Sequence, residues 1–246
     1  MPESATDTIA AIASGAGGAI AVLRVSGPDA MAVAGRVWRG RTAVAHLRPR
    51  ELHLGCVCTP GGTALDQCLL IRFAAPASYT GEDMVELHTH GGLYVVRAVL
   101  VEVLRAGARH AEPGEFTRRA FLNGKLDLTQ AEAVADIVAA HTASALRLAN
   151  RQVEGRLGRR VGTLYDRLTA VGAEVESRLD FPDERLGWLP PPRVLAEIHA
   201  LRDEVAGLLA TRRAGEILRH GIHVVIAGLP NVGKSSLMNA VLGRDR

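Results

Sequence analysis

Gly228-Leu229-Pro230-Asn231-Val232-Gly233-Lys234-Ser235 fits the pattern G-x-x-x-x-G-K-[ST] at every fixed position. The apolar run 222–227 before it reads as a short buried strand, and residues 236–242 after it carry a helical period. Strand, glycine-rich turn and helix in that order form a phosphate-binding corner. The glycines let backbone N–H groups face phosphate oxygens, and the helix N-terminus adds positive partial charge. In this reading Gly228, Asn231, Val232, Gly233, Lys234, Ser235 and Ser236 surround a nucleotide. Lys234 reaches the β- and γ-phosphates as a point charge, and the Ser235 hydroxyl ligates Mg²⁺.

Upstream of this corner the period is helical from about residue 127 to 219. Thr129 and Glu132 suggest a capping box opening a helix with Val134, Ile137, Val138, His141 and Leu148 on its apolar side. A second helix reads Leu157, Val161, Leu164, Leu168, Val171, Val175 and Leu179. Phe181-Pro182 stops it, and Pro190-Pro191-Pro192 reads as a stiff connector. A third helix carries Val194, Ile198, Leu201, Val205 and Leu208. Such helices pack as a bundle. Further upstream, strands are expected at 8–13, 19–25, 51–57, 68–73 and 84–90, with helices at 29–38, 93–105 and 115–122. The predicted organisation is an α/β (α+β) domain over 1–122, a long-helix bundle over 123–216, and the first strand, loop and helix of an α/β nucleotide domain over 217–246.

Composition supports a globular chain: 246 residues, 48% hydrophobic, give ample core. A net charge of +3 is too mild to argue for nucleic acid. The runs Arg36, Arg39, Arg41, Arg48, Arg50 and Arg156, Arg159, Arg160 read as solvated faces. Among 29 basic residues only Lys125 and Lys234 are lysines. No basic residue precedes Arg24, and the apolar stretch 8–23 is interrupted by Gly15, Gly17 and Gly18, so neither an export signal nor a membrane span is expected. Three cysteines make no disulfide framework, which points to the cytoplasm. His53, Cys56, Cys58 and Cys68 are conceivable zinc ligands. However, Leu52, Leu54, Cys56 and Cys58 share one face of a period-two segment, where Cys is expected to act as a small buried hydrophobe. Gly15-Ala16-Gly17-Gly18 is no dinucleotide fingerprint, because Ile20 stands where the third glycine belongs.

Several segments carry a family likeness. Tyr79-Thr80-Gly81-Glu82-Asp83 is followed by His90-Gly91-Gly92. Then comes Pro113-Gly114-Glu115-Phe116-Thr117-Arg118-Arg119-Ala120-Phe121-Leu122-Asn123-Gly124-Lys125-Leu126-Asp127-Leu128, and later Asp180-Phe181-Pro182-Asp183-Glu184. The phosphate loop continues as Ser236-Leu237-x-Asn239, in the manner of the small GTPases of translation and RNA maturation. In this order and spacing the sequence resembles the MnmE (TrmE) family of tRNA-modification GTPases over essentially its whole length.

That resemblance implies an N-terminal domain that binds tetrahydrofolate and mediates homodimerisation, a helical domain completed by C-terminal helices, and a G domain inserted between helical segments. It implies GTP, Mg²⁺ and K⁺ as cofactors, with 5-formyl- or methylene-tetrahydrofolate as one-carbon source. The FAD-containing protein MnmG is the implied partner in a heterotetramer, and C5 of the tRNA wobble uridine is the implied substrate position. The implied folate residues are Arg24, Glu86 and Lys125; Asn231 would help hold K⁺ and Ser235 the Mg²⁺. A carboxylate suits a pterin, whose adjacent N–H and NH₂ groups it can accept together. Alternation puts Glu86, His88 and His90 on one face of a strand and Val85 and Leu87 on the other. His88 and His90 have metal-compatible spacing, but no carboxylate or Cys pattern supports a metal there.

The 246 residues contain no Asn-Lys-x-Asp segment, because neither lysine follows an asparagine. The family's catalytic acidic residue is expected beyond residue 246, and the chain as given is expected not to turn over GTP by itself. The alternative reading is a standalone folate-binding and dimerisation module with a vestigial phosphate loop. Both lysines fall in the two ligand motifs.

Overall fold

Strands with one apolar face need neighbours to complete their hydrogen bonds and a layer to cover that face. Residues 7–15, 17–181, 187–220 and 225–243 are described in the structure, a computed structural model. It meets both needs with a mixed sheet backed by two helices. The strands are β1 (Ile9–Ile12), β2 (Ile20–Ser26), β3 (Trp38–Gly40), β4 (Leu52–Cys58), β5 (Ala64–Phe73), β6 (Met84–His90) and β7 (Arg109–His110). Their order is β3-β4-β5-β6-β2-β1-β7, antiparallel throughout except for the parallel β1–β7 pair. The helices α1 (Ala30–Val37) and α2 (Leu93–Arg105) pack Val33, Ala34, Val37, Val99 and Val103 against Leu23, Val25, Leu70, Val85 and Leu87. Each fully buried Leu or Val contributes about 1.5–3 kcal/mol of transfer free energy.

The expected α/β zone is therefore present, and its central strands lie within a residue or two of their predicted places. β5 starts at Ala64, four residues earlier than expected, because polar Asp66 and Gln67 hide a stretch that still pairs with β4. β3 and β7 are too short to show a period. On β4 the expectation about the buried face holds for Cys58, which is buried, and fails for the rest: Leu52 and Leu54 are 58% and 61% exposed, Cys56 is half-buried, and Val57 is the residue that enters the core, with a register shift between Val57 and Cys58. A period of two says which residues share a face, not which face is covered. Here the covered side of β4 carries Gly55, where an added Cβ would lie 2.4 Å from the Trp38 ring. Cys68 is buried on the helix-backed side, and burial, helped by nearby Asp66, pushes its thiol up to about 12. Among the described residues no cluster of His, Cys, Asp and Glu is placed to hold a metal.

After α3 (Glu115–Leu122) the chain becomes helical: α4 (Leu128–Ala139), α5 (Ala143–Val153), α6 (Arg156–Asp180), α7 (Pro191–Ala210), α8 (Arg212–His220) and α9 (Lys234–Leu242). The capping residue is Asp127, not Thr129. Its Oδ1 accepts the Gln130 N–H at 2.8 Å while Gln130 Oε1 accepts the Asp127 N–H at 2.9 Å, a reciprocal box two residues upstream of the expected one. Replacing Asp127 by Ala should cost about 1 kcal/mol in thermal or urea denaturation, with Asp127→Asn recovering most of it. The single helix expected through Leu148 is broken after Ala139, where Thr142 Oγ1 accepts the Ala145 N–H and starts α5. Pro191 and Pro192 open α7 rather than forming a connector, since a first helical turn needs no N–H donor there.

The described contacts divide the chain into two compact units, residues 1–135 with 152–158, and residues 136–151 with 159–246. In the second, Leu164 and Leu201 are buried and Arg167 donates to Glu197 and Glu204 at 2.7 Å each. Tyr165, Leu168, Val175 and Leu179 on α6 and Leu195, Ile198, Val205 and Leu209 on α7 remain exposed. Of the strand expected over 222–227, residues 222–224 lie outside the described residues and residues 225–227 carry no strand pairing. A strand exists only in a ladder, and no described strand pairs with this one. Among the described residues no helix is long and apolar enough to cross a membrane.

Candidate functional site

The side of the sheet opposite α1 and α2 is where β2 and β6 present their polar residues. Arg24 and Glu86 are direct cross-strand partners. Alternation sends Leu23, Val25, Val85 and Leu87 into the core, so the pair must face the other way. Arg24 donates from Nε to Glu86 Oε1 at 2.9 Å, and its Nη2 lies 2.8 Å from the same oxygen in an ion pair. The guanidinium also lies over two rings, with Cζ 5.0 Å from the centroid of Tyr79 and 5.4 Å from that of Phe116. Both rings are within cation–π range and remove water from one side of the pair. His88, next but one on β6, puts Nε2 3.5 Å from Glu86 Oε2, and that nitrogen is buried without a hydrogen-bond partner.

The rings are brought in by two segments that are distant in sequence. The loop 76–83 is tied to α3 and to the turn that follows it by four contacts. Tyr79 Oη and Thr117 Oγ1 are 2.9 Å apart, and Asn123 Nδ2 donates to Thr80 O at 2.7 Å. Lys125 Nζ donates to Pro76 O at 3.0 Å, and Arg119 Nη1 reaches Glu82 Oε1 at 3.2 Å. Gly81 adopts a left-handed φ of 80°, and a Cβ there would sit 3.2 Å from Asn123 Cβ and Lys125 Cγ, so the loop lies close against the Asn123–Lys125 turn. Lys125 therefore joins Arg24 and Glu86 through the loop that carries Tyr79, not through a bond to either side chain.

Beside this constellation lies an ion network that sequence reasoning did not assemble. Arg119, 3% exposed, donates to Asp7 Oδ1 (2.7 Å), Asp7 O (2.9 Å), Glu115 Oε1 (3.1 Å) and Glu82 Oε1. Arg109 adds bonds to Glu115 and Asp7, 2.7 Å each at the closest. Burial pushes the Glu115 carboxyl up, but Arg109, the Glu112 N–H and Arg119 outweigh it and hold the group down at about 2. Asp7 is likewise lowered, chiefly by its bond from Arg109. Glu82 also accepts from Ser26 Oγ at 2.7 Å, at the end of β2, so the network fixes the strand that bears Arg24. Tyr79, Phe116 and this network are the residues to which motif reading assigned no role; His88 is legible as a neighbour of Glu86 on one strand face, but not its unpartnered nitrogen. Tyr79, Glu82, Glu115, Phe116 and Arg119 lie in two quoted segments whose meeting no local pattern announces, and Asp7, Ser26 and Arg109 lie in neither.

The donors present suit a folate. Glu86 offers a carboxylate beside a buried imidazole nitrogen that has no partner, and the flanking rings suit a flat heterocycle. On the second unit, the loop 228–235 turns with Asn231 at φ 60° and Gly233 at φ 88°, the latter capping α9. Lys234 Nζ donates to Gly228 O at 3.1 Å and Leu229 O at 2.6 Å, and Ser235 stands in the first turn of the helix. A hydroxyl there fits Mg²⁺, and the ammonium and helix N-terminus fit phosphate oxygens. Gly228, Asn231, Val232, Gly233, Lys234, Ser235 and Ser236 thus lie together on one loop and helix start.

Two family descriptions match consecutively: "GTP-binding protein TrmE N-terminus" over residues 8–125 and "MnmE helical domain" over residues 128–245. Among curated relatives named tRNA modification GTPase MnmE, those of Akkermansia muciniphila and Symbiobacterium thermophilum are each 47% identical. The alignments cover 97% and 98% of this chain and 53% of each relative. The relative from Bordetella petrii is 47% identical over the whole chain and 54% of its own length. The chain spans about half the length of the curated relatives it matches. Two family matches that together run from the first strand to the phosphate loop, with near-half identity along the same span, leave one conclusion: the chain belongs to the MnmE (TrmE) family of tRNA modification GTPases.

Proposed function

We propose that the full-length protein is a cytoplasmic tRNA modification enzyme. It binds and hydrolyses GTP with Mg²⁺ and K⁺. With MnmG it uses a tetrahydrofolate one-carbon unit to add the carboxymethylaminomethyl group at C5 of the wobble uridine. The 1–122 zone is the folate-binding and dimerisation domain, 123–216 the first part of the helical domain, and 217–246 the start of the G domain. The observation that carries the folate part is the Arg24–Glu86 pair, paired across two strands and flanked by Tyr79 and Phe116. Glu86 would accept the pterin donor edge, Arg24 would hold the carboxylate in place, and Lys125 would meet an anionic part of the folate.

The phosphate loop supplies the nucleotide part: Lys234 and the N–H groups at the start of α9 hold the phosphates, Ser235 the Mg²⁺ and Asn231 the K⁺. Guanine recognition and hydrolysis belong to parts of the protein outside these 246 residues.

Calorimetry with 5-formyltetrahydrofolate tests the reading. The chain should bind at a one-to-one ratio, and Glu86→Ala should weaken binding by about a hundredfold, because two charge-assisted bonds are lost together. Unchanged affinity in Glu86→Ala would place the folate elsewhere.

A further inference from the structure

Glu86 uses its two oxygens differently. Oε1 accepts one hydrogen bond, from Arg24 Nε, and lies 2.8 Å from Nη2 in the same ion pair, whereas Oε2 faces His88 Nε2 at 3.5 Å, beyond a hydrogen bond. That nitrogen is buried and has no hydrogen-bond partner. A buried polar atom left unmet is unfavourable, so the arrangement invites either a proton on His88 or a ligand on Oε2.

We propose that His88 is a positioning residue for Glu86, and that its protonation decides whether Oε2 is open to a ligand edge with two adjacent N–H donors. The proposal rests on the folate reading above. As an imidazolium, His88 donates a charge-assisted bond to Oε2 and competes with a ligand for that oxygen. As a neutral ring with its proton on Nδ1 it releases Oε2. A ring edge with paired donors can then take Oε2 together with the remaining lone pair of Oε1. Ligand binding therefore expels the proton from His88, and affinity rises with pH until the ring is neutral.

The surroundings make His88 the group to test. Val22 on β2 and Leu69 on β5 stand opposite it in the sheet, and neither ionises. Among the described residues, the ionisable groups in contact around His88 are Glu86 beside it and Arg24 on β2, which bonds Glu86 and lies over Tyr79; His90 follows on its own strand and Cys56 of β4 shares the face two strands away. His90 is already held by Asp66, which takes its backbone N–H at 2.8 Å and its Nδ1 at 2.7 Å.

The experiment is calorimetric titration of the 246-residue chain with 5-formyltetrahydrofolate between about pH 8 and about pH 5.5, the range in which imidazoles commonly titrate. Affinity should fall about tenfold on acidification in the unsubstituted chain and in His90→Gln. In His88→Gln, whose amide keeps a donor but does not titrate, it should stay flat. A second measurement does not depend on any variant folding: repeated in buffers of different ionisation enthalpy, binding at about pH 6 should release a proton that binding at about pH 8 does not. A flat profile in the unsubstituted chain, no proton release, or an undiminished pH dependence in His88→Gln overturns the role of His88 while folate binding itself stands. Absence of folate binding at every pH overturns both readings.

Discussion

Replacing Arg119 by methionine lowers the unfolding free energy of the sheet unit by about 3–5 kcal/mol, the cost of removing one partner from a buried ion cluster. The side chain is 3% exposed and its donors meet Asp7, Glu82 and Glu115. Methionine fills much of the space of the apolar stem, so the loss is electrostatic rather than a cavity. Glu115, 2% exposed, keeps Arg109 and the Glu112 N–H but loses a donor, and Glu82 keeps only the Ser26 hydroxyl among the side-chain donors described here. Urea denaturation measures the cost. Adding Glu82→Gln to Arg119→Met should recover part of it, because the charge left with only a hydroxyl partner is then gone. Arg119→Lys should fall between, since a point charge cannot serve three acceptors set apart. A cost below about 1 kcal/mol would mean that the cluster behaves like a solvated surface network.

The same cluster sets an acid limit. The Glu115 carboxyl is held at about 2 in the fold against an ordinary value of 4.5. A carboxyl lowered by folding adds stability that is fully present above its unfolded value and is lost as pH falls through its folded one. The sheet unit should therefore weaken progressively from about pH 4.5 towards pH 2.

Local rules made the strands and long helices legible, because β2, β6, α2 and α6 each repeat an apolar period for at least seven residues. Glu86 and His88 could be put on one face for the same reason. The covered side of β4 was not legible, because alternation is symmetric until Trp38 and Gly55 decide where the layers meet. Asp127 and Thr129 both fit the local capping pattern, and only the backbone shows whose oxygen faces the free N–H groups. The Asp7–Arg119 contact joins residues 112 positions apart, a distance no short-range pattern spans. Arg24, Glu86 and Lys125 were reachable only through the family likeness. The structure adds why they occur with Tyr79 and Phe116: the loop 76–83 and α3 are held together over the polar pair.

Gly91 and Gly92 are indistinguishable as sequence punctuation, yet alanine at the two positions should have opposite outcomes. A Cβ on Gly91 would lie 2.2 Å from the carbonyl oxygen of Gly18, 2.8 Å from its carbon and 3.1 Å from the carbonyl carbon of Ile20. All three are backbone atoms, so no side-chain rotation relieves the overlap. The chain must part where Gly91 N donates to Ala19 O at 3.0 Å and Gly17 N donates to Gly91 O at 2.9 Å. Overpacking and two weakened bonds together should cost Gly91→Ala about 3 kcal/mol. A Cβ on Gly92 meets only Val95 Cγ2, at an ordinary 3.9 Å, and its backbone at φ −58° and ψ 129° suits any residue. Gly92→Ala should stay within about 0.5 kcal/mol of the unsubstituted chain. The two strands that separate at Gly91 are β2 and β6, whose register sets Arg24 opposite Glu86. Gly91→Ala should thus also weaken 5-formyltetrahydrofolate binding under conditions where the variant is still folded, while Gly92→Ala leaves it unchanged. Equal stability of the two variants would mean that the 17–20 segment does not approach β6 as closely as its backbone indicates.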